Sequence, residues 1–188
     1  MGPRVFDFPL PERFVAGTVG EPGDRTFFLQ ARGGGQLVSV VLEKVQVALL
    51  ADKLEELLIE AAARFGISLP TSDEVPEDND PLETPVDEEF RVGTLGLAWD
   101  AETGTVLIEA IAAAEEPSFE GMDDPDQVLE PDEDTLDRLR VRLTPTETRA
   151  FIKRARKVVA AGRPPCPLCG NPLDPSGHLC PRHNGYRR

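Results

Sequence analysis

Cysteine is confined to one end of this chain. All three lie in the last 23 residues, in Cys166-Pro167-Leu168-Cys169-Gly170 and Cys180-Pro181-Arg182-His183-Asn184-Gly185, which sets the spacing C-x2-C-x10-C-x2-H. The first element is a zinc knuckle: its tight turn brings two thiolates onto one ion, and Gly170 permits the positive φ that such a turn needs. The second repeats the pattern with an imidazole in place of a thiolate. His178 is a rival fourth ligand, because His178-Leu179-Cys180 places two donors at i and i+2 on one side of an extended strand. The predicted set is therefore Cys166, Cys169 and Cys180 with either His183 or His178, and local symmetry with the first knuckle favours His183. Four soft or borderline ligands satisfy tetrahedral zinc and leave no open position, which marks a structural site. A disulfide would strand one cysteine, and a four-thiolate cluster needs more thiols than the chain has. A ribbon of about 20 residues buries too little apolar surface to fold unaided, so the metal supplies much of its folding free energy.

Charge divides the remaining sequence. The 188-residue chain carries a formal charge of −14 at neutral pH, yet residues 1–136 hold a net −23 and residues 137–188 a net +9. Thr71 to Glu89 contains nine carboxylates and Glu115 to Asp134 ten, with no Lys or Arg in either and several prolines in both. Dense like charge and low hydrophobicity leave little burial to offset ordering entropy, which predicts two mobile, solvated excursions outside the core.

Between them the apolar periodicity resolves into elements. Arg13 to Val19 and Thr26 to Ala31 read as a hairpin across Glu21-Pro22-Gly23-Asp24, and Leu37 to Leu42 follows Gly33-Gly34-Gly35 as a third strand. From Lys44 to Phe65, Val47, Leu50, Leu54, Leu57, Leu58 and Ala61 keep helical spacing, with Gly66 as the C-cap. Glu89 to Trp99 and Thr105 to Ala112 form a second hairpin, and Leu136 to Leu143 a third strand. A helix then begins with Thr144 as N-cap, Pro145 at the first turn and Glu147 completing a capping box, and ends before Gly162. The order strand-strand-strand-helix thus occurs twice, and Val15-Ala16-Gly17-Thr18 lines up with Arg91-Val92-Gly93-Thr94. The predicted fold is α+β: tandem βββα units, an internal duplication with a pseudo-twofold axis and a groove where the halves meet, followed by a C-terminal zinc ribbon. The boundaries are residues 1–70 for the first unit, 71–88 for an acidic linker, 89–162 for the second unit with an acidic insertion at 115–135, and 163–188 for the ribbon.

No nucleophilic constellation is legible, since both histidines sit in the zinc segment and the cysteines are explained as ligands. The glycine runs lack a following Lys-Ser or Lys-Thr and do not open a helix, so they are turns rather than phosphate loops. A carboxylate pair such as Glu43 and Glu109 is a minor candidate for acid-base work. No apolar run approaches the roughly 20 residues of a membrane helix, and Met1-Gly2-Pro3-Arg4 leads directly into mixed polar sequence. The expectation is a soluble, cytoplasmic protein with no membrane partner.

The basic C-terminal part is the better lead. Arg138, Arg140 and Arg142 alternate on one strand, and Arg149, Lys153, Arg154, Arg156 and Lys157 crowd the following helix. With Arg182, Tyr186, Arg187 and Arg188 these helix residues form a candidate partner-binding surface. Internal neutralisation by the acidic stretches is the competing account, and aromatic residues for base stacking are scarce.

Phe14-Val15-Ala16-Gly17-Thr18-Val19-Gly20, the segment from Arg25 to Arg32, Leu42-Glu43-Lys44, Glu89 to Thr94 and the tail from Gly162 to Arg188 resemble an uncharacterised, mostly actinobacterial family. Its most specific part is Arg163-Pro164-Pro165-Cys166-Pro167-Leu168-Cys169-Gly170 with Gly177-His178 and Cys180-Pro181-Arg182. The resemblance implies that position 183 is not always histidine, which moves the fourth ligand towards His178, and it implies no activity.

The resulting expectation is a non-catalytic zinc-containing binding or adaptor protein with a protein partner. A nucleic-acid or phosphate binder using the basic helix and ribbon is the first alternative, and an enzyme with its site between the repeats the second. A small-molecule substrate is not expected.

Overall fold

The computed structural model of the chain describes residues 2–114, 133–163, 165–173, 178 and 180–182. The seven strands are β1 (Val5–Pro9), β2 (Arg13–Val19), β3 (Thr26–Gly33), β4 (Gln36–Leu42), β5 (Glu88–Asp100), β6 (Thr105–Ala112) and β7 (Arg138–Leu143). The two helices are α1 (Lys44–Phe65) and α2 (Pro145–Ala160). The fold is mixed α+β, one sheet with two helices. Both predicted caps form. Gly66 ends α1 at φ 66° and donates its N–H to Ala62 O, while the Thr144 hydroxyl accepts from the Glu147 N–H and the Glu147 carboxylate accepts from the Thr144 N–H.

All seven strands form a single sheet in the order β1-β7-β6-β5-β4-β3-β2. β4 and β5 are parallel at its centre and β1 and β7 at its edge, and the other neighbours are antiparallel. Alternate strand residues, among them Phe14, Leu29, Val40, Val92, Ile108 and Val141, face α1 and α2 in one continuous core with Leu54, Leu58, Phe151 and Ile152. Phe14 and Phe151 stack with ring centroids 4.8 Å apart, joining β2 to α2.

The expected pseudo-twofold axis is absent. A twofold perpendicular to the sheet would make β4 and β5 antiparallel, and one along the strands would put the helices on opposite faces. Instead the directions of β2, β3 and β4 recur in β5, β6 and β7, and both helices cover the same face, so the halves are displaced side by side. No groove of the expected kind follows from that relation.

β1 was not anticipated, because five residues ending in proline carry little periodicity. It is held by distant partners. Phe8 is 3 % exposed in the core, the Arg138 N–H bonds Arg4 O, and the Arg4 guanidinium bonds Asp137 and Glu89.

The acidic segment 71–88 also departs from expectation. Expected as a solvated linker, it first runs beside the helices, where Glu77 and Asp78 meet Lys153 and Arg154 of α2, and then crosses to the opposite face of the sheet, where Leu82 (8 % exposed) packs on Val15, Phe28 and Val41. Three of its carboxylates, Glu77, Asp78 and Glu83, meet cations of the elements around it. Asp78 accepts from Arg13 and Arg154, and Glu83 pairs with Arg32. Gln30 closes the buried polar side, donating to Glu83 O and Ser39 Oγ and accepting the Glu83 N–H. Charge that would keep an isolated segment in solvent here meets a preformed row of guanidinium groups, so ordering it forms charge-assisted hydrogen bonds as well as burying Val75 and Leu82. The predicted insertion at 115–135 lies almost wholly outside the described residues.

Candidate metal centre

After α2 the chain passes Gly162 and Arg163, and Pro165 bridges Pro172 in antiparallel fashion. The ends of the intervening turn are tied by the Cys166 N–H to Asn171 O at 2.7 Å and the Gly170 N–H to Cys166 O at 2.8 Å, with Gly170 at φ 76° as the knuckle requires. Arg182 clips the same turn by donating to Leu168 O.

This scaffold brings Cys166, Cys169, His178 and Cys180 together, with one ligand atom from each lying within 4.8 Å of all the others. Cys166 Sγ and Cys180 Sγ are 3.9 Å apart, and Cys169 Sγ is 3.1 Å from His178 Nε2. A tetrahedral ion with metal–sulfur bonds of about 2.3 Å separates its sulfurs by about 3.8 Å. A disulfide requires about 2.05 Å, and all three cysteines are free thiols. Cys166 (6 % exposed) and Cys180 (7 % exposed) form the inner side, with Cys169 and His178 half-buried.

The backbone prepares the cage for charge. N–H groups of Cys169 and then Leu168 point at the Cys166 sulfur and lower its pKa to about 7, so a thiolate is accessible near neutrality. At Cys169 the Asn171 N–H acts in the same direction, but burial and the neighbouring Cys166 and Cys180 sulfurs outweigh it and raise the pKa. Crowded thiolates repel one another, and a dication in their midst reverses that sign. The residues present therefore fit a metal ion. Of the two candidate fourth ligands, His178 is in the cluster, and His183 lies outside the described residues.

The remaining sequence-derived residues are placed differently. Arg149 pairs with Glu55, Lys153 with Glu77, Arg154 with Asp78, and Arg156 with Asp52 and Glu55, while Lys157 bonds Asn79. Arg154 is the most enclosed: its side chain is 9 % exposed and also donates to Ala16 O. Burial lowers its pKa, partly countered by Asp78. On β7, Arg138 and Arg140 flank Glu109, and Arg142 pairs with Asp100. The strand and helix cations are thus committed within the fold. Glu43 and Glu109, weighed as an acid-base pair, are each paired with a different arginine, Glu43 with Arg91. Tyr186, Arg187 and Arg188 lie outside the described residues. No described helix is long and apolar enough to cross a membrane.

Sequence reasoning missed Asp78 and Glu83, whose partners Arg13, Arg32 and Arg154 lie more than 50 residues away. The signal available was the matching of arginine-bearing strands with carboxylates between prolines, which composition alone does not pair.

No curated protein and no solved structure matches the chain. A family model described as a protein of unknown function, DUF3090, matches residues 6–180, from within β1 to the last cysteine of the cluster, and the chain belongs to that family.

Proposed function

We propose that this is a non-catalytic, zinc-containing binding or adaptor protein, in which Cys166, Cys169, Cys180 and His178 pin the C-terminal segment as a rigid contact surface. The observation that carries the reading is the mutual approach of the four donor atoms to within 4.8 Å. Three thiolates and an imidazole suit zinc in softness and number, and they fill its tetrahedron, leaving no position for substrate or activated water. A protein partner is favoured over nucleic acid, because the α2 cations that would meet phosphates are engaged by Asp52, Glu55, Glu77, Asp78 and Asn79. The same reading takes residues 1–70 and 89–162 as two copies of one βββα unit, supported by the recurrence of strand directions across the sheet.

Elemental analysis of the full chain purified under reducing conditions is expected to return one zinc per molecule, lost in Cys166→Ser, Cys180→Ser. His178→Ala should weaken retention against a chelator while His183→Ala leaves it unchanged. A zinc content near zero sinks the reading. So does a cobalt-substituted sample whose spectrum changes on adding azide, since that reveals an open coordination position.

A further inference from the structure

Residues 77–83 are held in the way a groove holds a bound peptide. Side chains of the elements around this strap read its main chain. Asp78 O accepts from Arg154, Asp80 O and Pro81 O accept from Arg13, and Glu83 O accepts from Gln30, whose amide oxygen takes the Glu83 N–H in return. Gln30 is 2 % exposed, and its two-way pairing recognises a peptide backbone rather than any one side chain. Two seats supply the selectivity. The Asp78 carboxylate receives Arg13 Nε at 2.6 Å and Arg13 Nη2 at 2.9 Å, the fork that suits a carboxylate. Four residues on, Leu82 enters an apolar seat of Val15, Phe28 and Val41, which Gly17 keeps open by lacking a Cβ. Main-chain hydrogen bonds for affinity combined with side-chain pockets for choice are how folded domains take extended peptides.

The seats belong to the regular elements and the strap does not. Arg13 and Gly17 stand on β2, Gln30 on β3 and Arg154 on α2, whereas the strap lies outside every strand and helix. Its acidic side chains keep one side to solvent, Glu77 at 54 % exposure and Asp78 and Glu83 at 32 % each. Beside its Asp78 end opens a pocket of about 250 Å³, walled by Pro11, Phe14, Leu143 and Phe151, which the strap meets only with Pro76, Glu77 and Asp78. A rival segment with a larger apolar residue ahead of its Asp would fill that pocket. It would then have the differential contact without which no ligand shifts an equilibrium.

We propose that residues 77–83 are the internal occupant of a peptide-binding groove, which a partner protein enters with an extended acidic segment of the same pattern, Asp-x-x-Pro-Leu-Glu. The inference rests on the reading above that the chain binds a protein, and adds to it a second surface. In the closed chain the strap, tethered at both ends, competes at an effective concentration on the order of millimolar, so the groove is autoinhibited and a free peptide binds weakly.

Two labelled peptides test it on the zinc-loaded full chain: one of residues 76–86, and one of the same residues carrying Pro76→Phe. By fluorescence anisotropy both should bind the Asp78→Ala, Leu82→Ala chain, whose own strap has lost its two anchors, at least about tenfold more tightly than they bind the wild type. The Pro76→Phe peptide should be the tighter, and a peptide carrying Asp78→Ala, Leu82→Ala should not bind. Should the double variant fail to fold, the wild type decides: an excess of the Pro76→Phe peptide is expected to speed amide exchange at the Glu83 N–H, which Gln30 holds in the closed chain. A folded double variant that takes up neither peptide overturns the proposal, as does Glu83 exchange in the wild type that the excess peptide leaves unmoved. Wild-type dimers that the peptide dissolves would put a second copy in the groove and overturn the choice of partner. Zinc measured on the same samples separates the two readings: full zinc without peptide binding removes the groove alone, and peptide binding without zinc removes the metal reading alone.

Discussion

Gly17 and Gly93, which the sequence aligns at equivalent places in the two halves, are both required by close approach. A Cβ on Gly17 would lie 2.5 Å from Leu82 Cδ2, and one on Gly93 would lie 2.7 Å from Ala113 Cα. The first obstruction is a side chain anchored in the segment across the sheet, the second is backbone beside an irregularity in β5. Gly17→Ala is expected to destabilise the fold by about 1–3 kcal/mol, the usual cost of overpacking. Leu82→Ala should cost about 2–4 kcal/mol through loss of buried apolar contact. The double variant should fall short of the sum, because the new methyl group enters the space that Leu82 vacates. Urea unfolding of the four proteins measures the coupling, and strict additivity would show that the two residues do not meet.

At the scale of elements, the segment 71–88 is held by charge as much as by burial. The hydrogen bond from Arg13, ahead of the Coulomb attraction of Arg13 and Arg154, holds the Asp78 carboxyl below its ordinary value. A carboxylate depressed in the folded state stabilises above its unfolded pKa of about 3.9, and that contribution is lost as pH falls through the lower folded value. Asp78→Asn is therefore expected to lower stability at pH 7 by about 1–3 kcal/mol, the range for removing one member of a part-buried charged pair. The gap between wild type and variant should begin to close below about pH 4, where Asp78 of the unfolded chain takes up its proton, and vanish below the lower folded value. Denaturant midpoints across that range check the sign; a gap that widens in acid would show that Asp78 is not the charged partner. The same pairing explains why α2 is so basic. Its cations face Asp52 and Glu55 of α1 on one side and Glu77 and Asp78 on the other, so the helix is a hub of internal neutralisation.

For the molecule as a whole, the metal segment and the sheet are separable. The continuous core is built from strands and helices ending at Ala155, with Val158 and Val159 packed at its margin, and it includes no residue of the metal cluster. Chelation under reducing conditions should accordingly leave the sheet's cooperative unfolding transition in place, while amide-exchange protection disappears at the Cys166 and Gly170 N–H groups, which close the knuckle turn. Loss of the entire transition on chelation would show that the ion supports the main fold as well.

What the sequence alone determined is local in origin. The bounds of α1 follow from a 3.6-residue apolar period closed by Gly66, the start of α2 from a capping box within four residues, and the hairpins from period-two alternation around turn residues. Three of the four residues that could hold a metal ion, Cys166, Cys169 and Cys180, stand within 15 residues of one another, where spacing translates directly into geometry. Tertiary structure decided whatever depends on segments meeting from afar. β1 exists because β7, 133 residues on, offers it a parallel edge, and segment 71–88 is ordered because Arg13 and Arg154 converge on Asp78 from 65 and 76 residues away. The arginines of β7 and α2 read in sequence as an exposed positive surface, and only the packed sheet shows their partners. A charge's neighbours along the chain do not specify its neighbours in space, and it is the latter that decide whether it neutralises an acid within the fold or faces solvent.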